Sequence, residues 1–348
     1  MSYLITGACG FLGSNIAARL LQHREKVILF DDLSRVGSQQ NLSWLKSLGE
    51  VEFVREDIRN HGAIKSAVQR AKPEVVFHLA GQVAMTTSLQ NPRDDFEINV
   101  TGSLNLLEAI RSYTPRATVI YSSSNKVYGN LDGLKIKEES LRYSLPDFPD
   151  GIDETAPLDF QTPYGCSKGA ADQYMLDYAR TYGLNTVVFR HSTIFGGRQL
   201  ATFDQGWVGW FCQKAIEAKE SIEADSFTIS GNGKQVRDLL FIDDAVACYL
   251  NAVKHIRRAR GQSFNIGGGI ENSSSLLELF AFLEKTLAIK LNYHSVPERQ
   301  GDQKFFVANI EKAKRLLDWH PTIRKEQGIK LTLDYIASSP KDRTEIRG

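Results

Sequence analysis

A tyrosine and a lysine four residues apart are the side chains in this sequence best placed for proton chemistry. Tyr164 and Lys168 lie in "PYGCSKGAADQYMLDYA", and of the twelve tyrosines only Tyr164 has a lysine four residues on. On a helix the two share one face. The ammonium is expected to lower the pKa of the phenol, which could then exchange a proton with a substrate hydroxyl. The spacing alone is equally typical of a surface pair on an amphipathic helix.

A run of three serines offers a partner for the tyrosine. Ser122, Ser123 and Ser124 follow the apolar run "ATVIY", which predicts a buried strand. Ligands of doubly wound α/β folds bind at the carboxyl edge of the sheet, where these hydroxyls would lie. We expect Ser124 to hydrogen-bond the same oxygen as Tyr164, and Ser122 and Ser123 to satisfy backbone groups at the strand end.

The first predicted strand ends in a glycine-rich turn, "TGACGFLG". Its glycines, Gly7, Gly10 and Gly13, allow a tight turn and a close approach of the backbone to a pyrophosphate. Phe11 and Leu12 would open a helix whose N-terminal N–H groups face the phosphates. The spacing, GxxGxxG, is one residue longer at the first gap than the usual dinucleotide motif. The turn therefore predicts a dinucleotide site, and a glycine-rich turn without a ligand is the alternative.

Acidic residues after the next two strands complete that site. "FDDLSR" follows the second strand, and Asp31 lies about 20 residues beyond the turn, where a carboxylate binds the ribose hydroxyls of NAD and repels a 2′-phosphate. NAD is therefore predicted over NADP, although Arg35 would suit NADP. Asp32 could be a solvated loop acid, and it is included in the predicted cofactor site with Ser34. After the third strand, "EDI" places Asp57, followed by Ile58, within reach of the adenine amino group.

Short apolar runs that alternate with helical segments predict the elements that position these residues. Strands are expected at "YLIT", "KVILF", "VEFV", "EVVFHLA", "ATVIYS" and "TVVFR", with helices between them. Nearly continuous apolar strands separated by helices indicate a Rossmann-type doubly wound parallel sheet. Residues 1–196 are predicted to form this NAD-binding domain, with a long loop near 130–162. Residues 197–348 are expected to form mainly a smaller α+β substrate-binding portion, interleaved with the first, with strands "FTIS" and "FNIG" and helices from Asp204 and Ser273.

Composition excludes several classes of protein. Lys plus Arg number 42 against 41 acids among 348 residues, and the net charge of +1 gives no support for nucleic acid or an acidic membrane as the partner. No apolar run is long enough to span a bilayer, and the N-terminus has no basic region of a signal peptide, so we expect a cytoplasmic protein. The four cysteines are far apart, which indicates reduced thiols and no metal site.

The Gly turn, Asp, Ser, Tyr and Lys in this order resemble the short-chain dehydrogenase/reductase superfamily. "SSSNKVYG", "INVTGSLNLLEA" and "GNGKQVRDLLFIDD" are similar to its extended branch, which acts on nucleotide sugars. The resemblance implies that the cofactor also contacts Leu79, Ala80, Gln82, Asn99, Ser122, Tyr164, Lys168 and His191. It implies that the substrate contacts Thr86, Ser124, Asn125, Thr193, Gln235, Arg237 and Arg299. The two arginines would grip the pyrophosphate, because guanidinium groups suit phosphate oxygens; a surface salt bridge is the alternative for either.

The residues after Ser124 discriminate between reactions. In this branch, 4,6-dehydratases carry an Asp-Glu pair where this chain has Asn125 and Lys126. An amide is no general acid, so dehydration is disfavoured, and epimerisation or net oxidation or reduction remains. "HLAGQVAMTTS", "DQGWVGWFCQKA" and "FTISGNGKQVRD" resemble the CDP-paratose (CDP-tyvelose) 2-epimerase family, as does the stretch from Tyr164 to Ser192. Thr193 departs from the branch, since many members have an Asn there, so contacts to the substrate should be rearranged.

The function expected from the resemblance is NAD-dependent 2-epimerisation of a nucleotide-diphosphate sugar, with a CDP-sugar favoured. Tyr164 would handle the proton, Ser124 would hold the oxygen, and Lys168 would tune the tyrosine and bind ribose. A homodimer or homotetramer and a role in lipopolysaccharide O-antigen biosynthesis are implied as well. A 4-epimerase of the same branch and a non-catalytic NAD-binding module are the alternatives. The residues by themselves predict only an NAD enzyme that acts on a hydroxyl.

Overall fold

A seven-stranded parallel sheet forms the centre of the protein. We describe it from a computed structural model, which covers residues 1–200, 202, 206–220, 226–299 and 301–338. The strands are β1 (Ser2–Thr6), β2 (Lys26–Asp31), β3 (Glu52–Arg55), β4 (Val75–His78), β5 (Thr118–Ser124), β6 (Lys137–Glu138), β7 (Tyr143–Ser144), β8 (Asn185–His191), β9 (Thr193–Phe195), β10 (Phe227–Ser230), β11 (Val236–Phe241), β12 (Gln262–Ile266), β13 (Ser273–Ser275), β14 (Tyr293–Val296) and β15 (Phe305–Phe306).

The helices cover both faces of this sheet. They are α1 (Phe11–Gln22), α2 (Ser38–Leu48), α3 (His61–Ala71), α4 (Met85–Gln90), α5 (Pro92–Phe96), α6 (Gly102–Tyr113), α7 (Thr162–Tyr182), α8 (Trp207–Glu220), α9 (Ile242–Lys254), α10 (Ile256–Ala259), α11 (Leu276–Leu287), α12 (Glu311–Leu317) and α13 (Lys325–Ser338). A π-helical turn, Glu97–Thr101, precedes α6, and a 3₁₀ turn, Asn125–Tyr128, follows β5.

The strand order of the large sheet is β12-β8-β5-β4-β1-β2-β3, and every pairing in it is parallel. Its central strands are buried on both faces, which is why they read as continuous apolar runs. One core lies against α1 and α9, and the other lies against α3, α6 and α7. The predicted doubly wound α/β fold is therefore confirmed.

Smaller sheets from the second half of the chain lie beside the carboxyl edge of the large one. β11 pairs with β9, β13 and β15, and β10 pairs with β14. "FNIG", placed by sequence in this smaller portion, instead belongs to β12 and extends the large sheet beside β8. The connection at 130–162 contains the β6–β7 hairpin, and its residues Tyr143, Leu145 and Ile152 are buried in a third core with Phe306.

Two helix starts differ from the predicted ones. The helix expected from Ser273 begins at Leu276, because Ser273–Ser275 form β13 and pair with β11. Ser275 then caps α11, and Glu278 returns the hydrogen bond to the backbone of Ser275 in a capping box. The helix expected from Asp204 is observed as α8, and positions 204 and 205 lie outside the described residues.

Candidate active site

The turn between β1 and α1 is shaped so that only glycine fits at two of its positions. Gly7 has a φ of +68°, and a Cβ there would lie 2.7 Å from the Ala80 nitrogen. A Cβ on Gly13 would lie 2.2 Å from the Gly7 carbonyl oxygen. Gly10 begins α1 without a side-chain cap, so the N–H groups of the first turn remain available to an anion. This cradle fits the pyrophosphate of a dinucleotide.

The acid at the end of β2 is joined to that turn. Asp31 accepts hydrogen bonds from the backbone N–H of Cys9 at 2.9 Å and of Leu33 at 2.8 Å. Burial raises the pKa of Asp31, and the two backbone donors oppose this shift. Each carboxylate oxygen can accept more than one hydrogen bond, so Asp31 can also receive ribose hydroxyls. Asp32 instead binds Ser34 through both the backbone N–H and the hydroxyl.

The loop after β3 places Asp57 and Ile58 at the same edge of the sheet. The Asp57 carboxylate is bound by the side chain and the backbone N–H of Arg59, with distances of 2.7 to 2.9 Å. An adenine amino group would therefore share this carboxylate with Arg59.

A π-helical turn holds the loop after β4. Asn99 Oδ1 accepts a 2.9 Å hydrogen bond from the backbone N–H of Gln82, and Asn99 Nδ2 donates to the Gln82 carbonyl and to Ser167 Oγ. Asn99 is buried within the π turn Glu97–Thr101, a type of insertion that is frequent at functional sites. Asn99 thus ties the predicted cofactor loop to α7.

The predicted cofactor residues lie along one edge of the sheet. They occupy the carboxyl ends of β1 to β5 and of β8, the connections that follow them, and the helix α7: Gly7, Gly10, Phe11, Leu12, Gly13, Asp31, Asp32, Ser34, Arg35, Asp57, Ile58, Leu79, Ala80, Gln82, Asn99, Ser122, Tyr164, Lys168 and His191. His191 is opposite Ser124 in the register of β5 and β8, and its Nε2 lies 2.7 Å from the Tyr249 hydroxyl. Burial lowers the pKa of His191 to about 3, so the ring is neutral.

Tyr164 and Ser124 line the same cavity and hydrogen-bond each other. Tyr164 is buried in the first turns of α7, and Ser124 ends β5. Burial, with a smaller contribution from the charge of Asp95, raises the pKa of Tyr164 to about 12, although the hydrogen bond with Ser124 lowers it. The expectation that Lys168 gives Tyr164 a low pKa is therefore wrong for the chain by itself, because desolvation dominates the shift.

Lys168 shares the buried face of α7 with Tyr164, as the spacing predicts. Its ammonium donates to the Ser122 carbonyl and lies 4.4 Å from the centre of the Tyr121 ring. Burial lowers the pKa of Lys168 to about 7, against the opposing charges of Asp95 and Asp172. The lysine is therefore fixed between β5 and the loop that carries Gly81.

The other two serines bind side chains and not backbone groups, which corrects the prediction. Ser123 Oγ donates to Asp172 Oδ2 at 2.8 Å, and Asp172 also binds Arg190 through two hydrogen bonds of 2.9 Å. The Ser122 hydroxyl binds Tyr249. The serine run thus joins the strand to α7 and α9.

All seven predicted substrate residues line the cavity that Tyr164 faces. The cavity has a volume of about 310 Å³, and these residues are Thr86, Ser124, Asn125, Thr193, Gln235, Arg237 and Arg299. Thr193 Oγ1 accepts a 3.1 Å hydrogen bond from the indole of Trp207, the residue that shapes this wall. Thr86 Oγ1 is buried with no hydrogen-bond partner among the described residues, so a ligand in the cavity could supply one.

Sequence reasoning missed several residues of this wall. Lys126, Trp207, Trp210 and Asp302 line the cavity but were not in the predicted site. The sequence contained signals for them: Lys126 is two residues from Ser124, the two tryptophans lie in "DQGWVGWFCQKA", and Asp302 is three residues after Arg299 in "ERQGD". None of these signals is a motif with a defined chemistry.

The described part of the chain contains neither a metal site nor a membrane span. No cluster of His, Cys, Asp and Glu there is arranged to hold a metal ion. None of the helices described is long and apolar enough to cross a membrane.

The chain belongs to the NAD dependent epimerase/dehydratase family, whose model matches residues 3–267. Its cofactor is accordingly NAD, for which the Gly7–Gly13 cradle and Asp31 are suited. A CDP-paratose 2-epimerase from Salmonella typhi is 55% identical over 338 residues, which cover 97% of this chain and 100% of that protein.

Solved structures of similar proteins share the whole fold. The UDP-glucose 4-epimerase of Thermotoga maritima, solved with UDP-glucose, is 28% identical with a TM-score of 0.82 and covers 97% of this chain and 99% of its own. The Thermus thermophilus UDP-glucose 4-epimerase, a complex with NAD, is 26% identical with a TM-score of 0.81, covering 97% and 100%.

Proposed function

We propose that this protein is an NAD-dependent 2-epimerase of a nucleotide-diphosphate sugar, of the CDP-paratose/CDP-tyvelose type. The observation that carries the proposal is the 55% identity to a CDP-paratose 2-epimerase over the full length of that protein. It is supported by a cavity that is lined by Tyr164 and Ser124 together with Arg237 and Arg299. The cavity suits a sugar that is held by its diphosphate.

Residues of the sheet edge would hold the cofactor. The Gly7–Gly13 turn would bind the pyrophosphate, Asp31 the adenosine ribose and Lys168 the nicotinamide ribose. NAD, when bound, supplies an acceptor for the hydrogen of the substrate carbon and returns that hydrogen in the same turnover. The protein supplies orientation and proton handling.

Tyr164 would remove the proton of the C2 hydroxyl as C2 is oxidised, and would return it when C2 is reduced from the opposite face. Ser124 would hold the same oxygen, and its hydrogen bond with Tyr164 favours the phenolate, since it lowers the pKa of the phenol. Between the two steps the ring of the 2-keto sugar must rotate to present its opposite face, while Arg237 and Arg299 keep the diphosphate in place.

Dehydration is disfavoured by the residues after Ser124. The Asn125 amide donates to Gln303 Oε1 at 2.9 Å and has no proton to give as an acid. Lys126 stands in the next position. Elimination of water from the sugar would need an acid and a base at this point, so dehydration is disfavoured and epimerisation, or net oxidation or reduction, remains.

We propose that the two parts of the chain bind different ligands. Residues 1–196 would carry the cofactor, and residues 197–348 would mainly bind the nucleotide sugar, with β12 as the point of interleaving. We also propose a cytoplasmic enzyme of O-antigen deoxysugar biosynthesis that acts as a homodimer or homotetramer. These finer statements depend on the family resemblance.

Product analysis by NMR on a panel of CDP- and UDP-linked sugars tests the function. Inversion at C2 of a CDP-sugar is expected, with no product from Tyr164→Phe. Inversion at C4 alone would establish the second candidate, a 4-epimerase, which is favoured by the overall similarity to the UDP-glucose 4-epimerases. No turnover of any member of the panel, with NAD bound, would favour a non-catalytic module.

A further inference from the structure

Lys126 is a cation of the cavity wall to which the proposed mechanism gives no role. It lies in the 3₁₀ turn that follows Ser124, and its side chain is 18% exposed. Nζ donates to the Gly301 carbonyl at 3.0 Å and lies 3.9 Å from Asp302 Oδ1. An ammonium has three N–H donors, so the Gly301 bond leaves others for a ligand in the cavity.

Asp302 links this lysine to one of the proposed phosphate ligands. Arg237 donates to Asp302 Oδ1 at 2.8 Å, the same oxygen that Lys126 approaches. The carboxylate therefore spaces two cations that would otherwise repel each other. Arg299, which lies three residues before Asp302, donates to Ser230 Oγ at 3.1 Å.

The wall of the cavity is rich in cations. Among the described residues that line the cavity, the cations are Lys126, Arg237 and Arg299, and the carboxylate is Asp302. Lys126 and Arg237 share this carboxylate, whose Oδ1 lies 3.9 Å from Lys126 Nζ and 2.8 Å from Arg237. Two partly buried cations beside a single carboxylate favour an anionic ligand, such as the diphosphate of a nucleoside diphosphate sugar, over a neutral sugar.

We propose that Lys126 binds the substrate's diphosphate at the phosphate next to the sugar. The inference rests on the proposed function, because that function places the sugar against Ser124 and Tyr164. Lys126 is two residues from Ser124 and contacts the segment that carries Arg299 and Asp302, so it lies between the catalytic end and the arginines. A ligand that joins a sugar at one end to a nucleotide at the other must bring its phosphates past this position.

The arrangement also explains how the sugar ring could rotate in the site while the substrate stays bound. Three cations from three segments, the 3₁₀ turn, β11 and the residues after β14, would hold the diphosphate. The segment after β14 is itself fixed to the turn, because Gln303 is buried and bonds Asn125 and Gly129. The diphosphate would thus stay in one place while rotation occurs at the sugar end.

Calorimetric binding of CMP, CDP and CDP-glucose to the NAD-loaded protein tests this assignment, with UMP, UDP and UDP-glucose run in parallel. Lys126→Met should weaken binding of CDP and CDP-glucose about 10- to 100-fold, the usual effect of one charged hydrogen bond, and leave CMP almost unchanged. Lys126→Arg should restore most of the affinity. Lys290→Met, whose side chain is 90% exposed, is the matched control and should bind as the unaltered protein does.

Two results would overturn the proposal. Unchanged CDP binding with weaker CDP-glucose binding would place Lys126 against the sugar. An equal loss for CMP and CDP in both Lys126 variants would show that the lysine only supports the fold. Failure of the proposed function has a different signature, since a protein without 2-epimerase activity could still show the selective loss of diphosphate binding.

Discussion

The backbone N–H of Cys9 donates a 2.9 Å hydrogen bond to Asp31 Oδ2, and this bond joins the glycine turn to the end of β2. The two parts of a dinucleotide site that bind pyrophosphate and ribose are therefore held in a fixed relation. The Cys9 carbonyl is itself bound by Asn41 Nδ2 at 3.0 Å, so α2 supports the same turn. Hydrogen bonds within the chain thus hold the turn and Asp31 together.

The cofactor released from the purified protein should be NAD and not NADP. Asp31 is buried, and a carboxylate at the ribose repels a 2′-phosphate. The protein is denatured, and the nucleotide in the supernatant is identified by chromatography and mass. NADP as the main species would contradict the role given to Asp31.

Tyr164→Phe should fold and retain its NAD while losing most of its turnover. A general acid–base group contributes about 10²–10⁴-fold to the rate, and phenylalanine fills the same buried space without the hydroxyl. Tyr174→Phe is the matched control, since Tyr174 lies on the same helix and is 43% exposed. Turnover close to normal in Tyr164→Phe would mean that another residue handles the proton.

Sequence patterns predicted the sheet well because its strands are buried on both faces. β1, β2 and β8 lie within a residue or two of their predicted positions, and α1 begins at Phe11 as predicted. The prediction that a helix begins at Ser273 was wrong, because Ser273–Ser275 form the short strand β13. The signal that would have placed it is Ser275 followed by Glu278, the residue pair of a capping box.

The site was predictable only where local spacing decides the geometry. Tyr164 and Lys168 share a face because four residues nearly complete a helical turn. Ser124 lines the cavity because β5 ends at the carboxyl edge of the sheet, where ligands of this fold bind. The contacts of Asn125 with Gln303 and of Lys126 with Gly301 join positions 178 and 175 residues apart, which no local pattern indicates. The high pKa of Tyr164 arises from burial, which spacing does not measure.

Binding of CDP-glucose should weaken as pH rises from about 6 to about 8.5. Burial and the charge of Arg237 lower the pKa of Lys126 to about 7, although the negative charge of Asp302 raises it. The charged form binds the diphosphate, so the favourable interaction is complete below this pKa and is lost as pH rises through it. Guanidinium groups stay protonated in proteins over this range, so they do not contribute to the slope.

Lys126→Arg isolates this effect, because arginine stays charged and should remove most of the pH dependence. The comparison is needed since burial also lowers the pKa of Lys168 to about 7. Lys290→Met should keep the slope of the unaltered protein. The same slope in Lys126→Arg would assign the titration to another group.

The protein should associate as a dimer or tetramer through α7 and its neighbours. Tyr174 and Tyr182 on α7 and Phe96 on α5 are 43%, 50% and 52% exposed, large apolar side chains on one part of the surface. Light scattering at micromolar concentration should report a multiple of 39.0 kDa. Phe96→Asp together with Tyr174→Asp should shift the mass toward the monomer, and a monomeric unaltered protein would contradict the expectation.

The central claim is that C2 is inverted by removal and return of its own hydrogen. C2 of the substrate has no neighbouring carbonyl, so its C–H is not acidic, and a redox route is the one that the NAD site and Tyr164 supply. The most direct measurement is NMR of the product formed in D₂O, together with substrate deuterated at C2. We predict that the product keeps its original hydrogen, or its deuterium, at C2. Solvent deuterium at an inverted C2 would contradict the mechanism, and inversion at C4 with C2 untouched would contradict the assignment of the carbon.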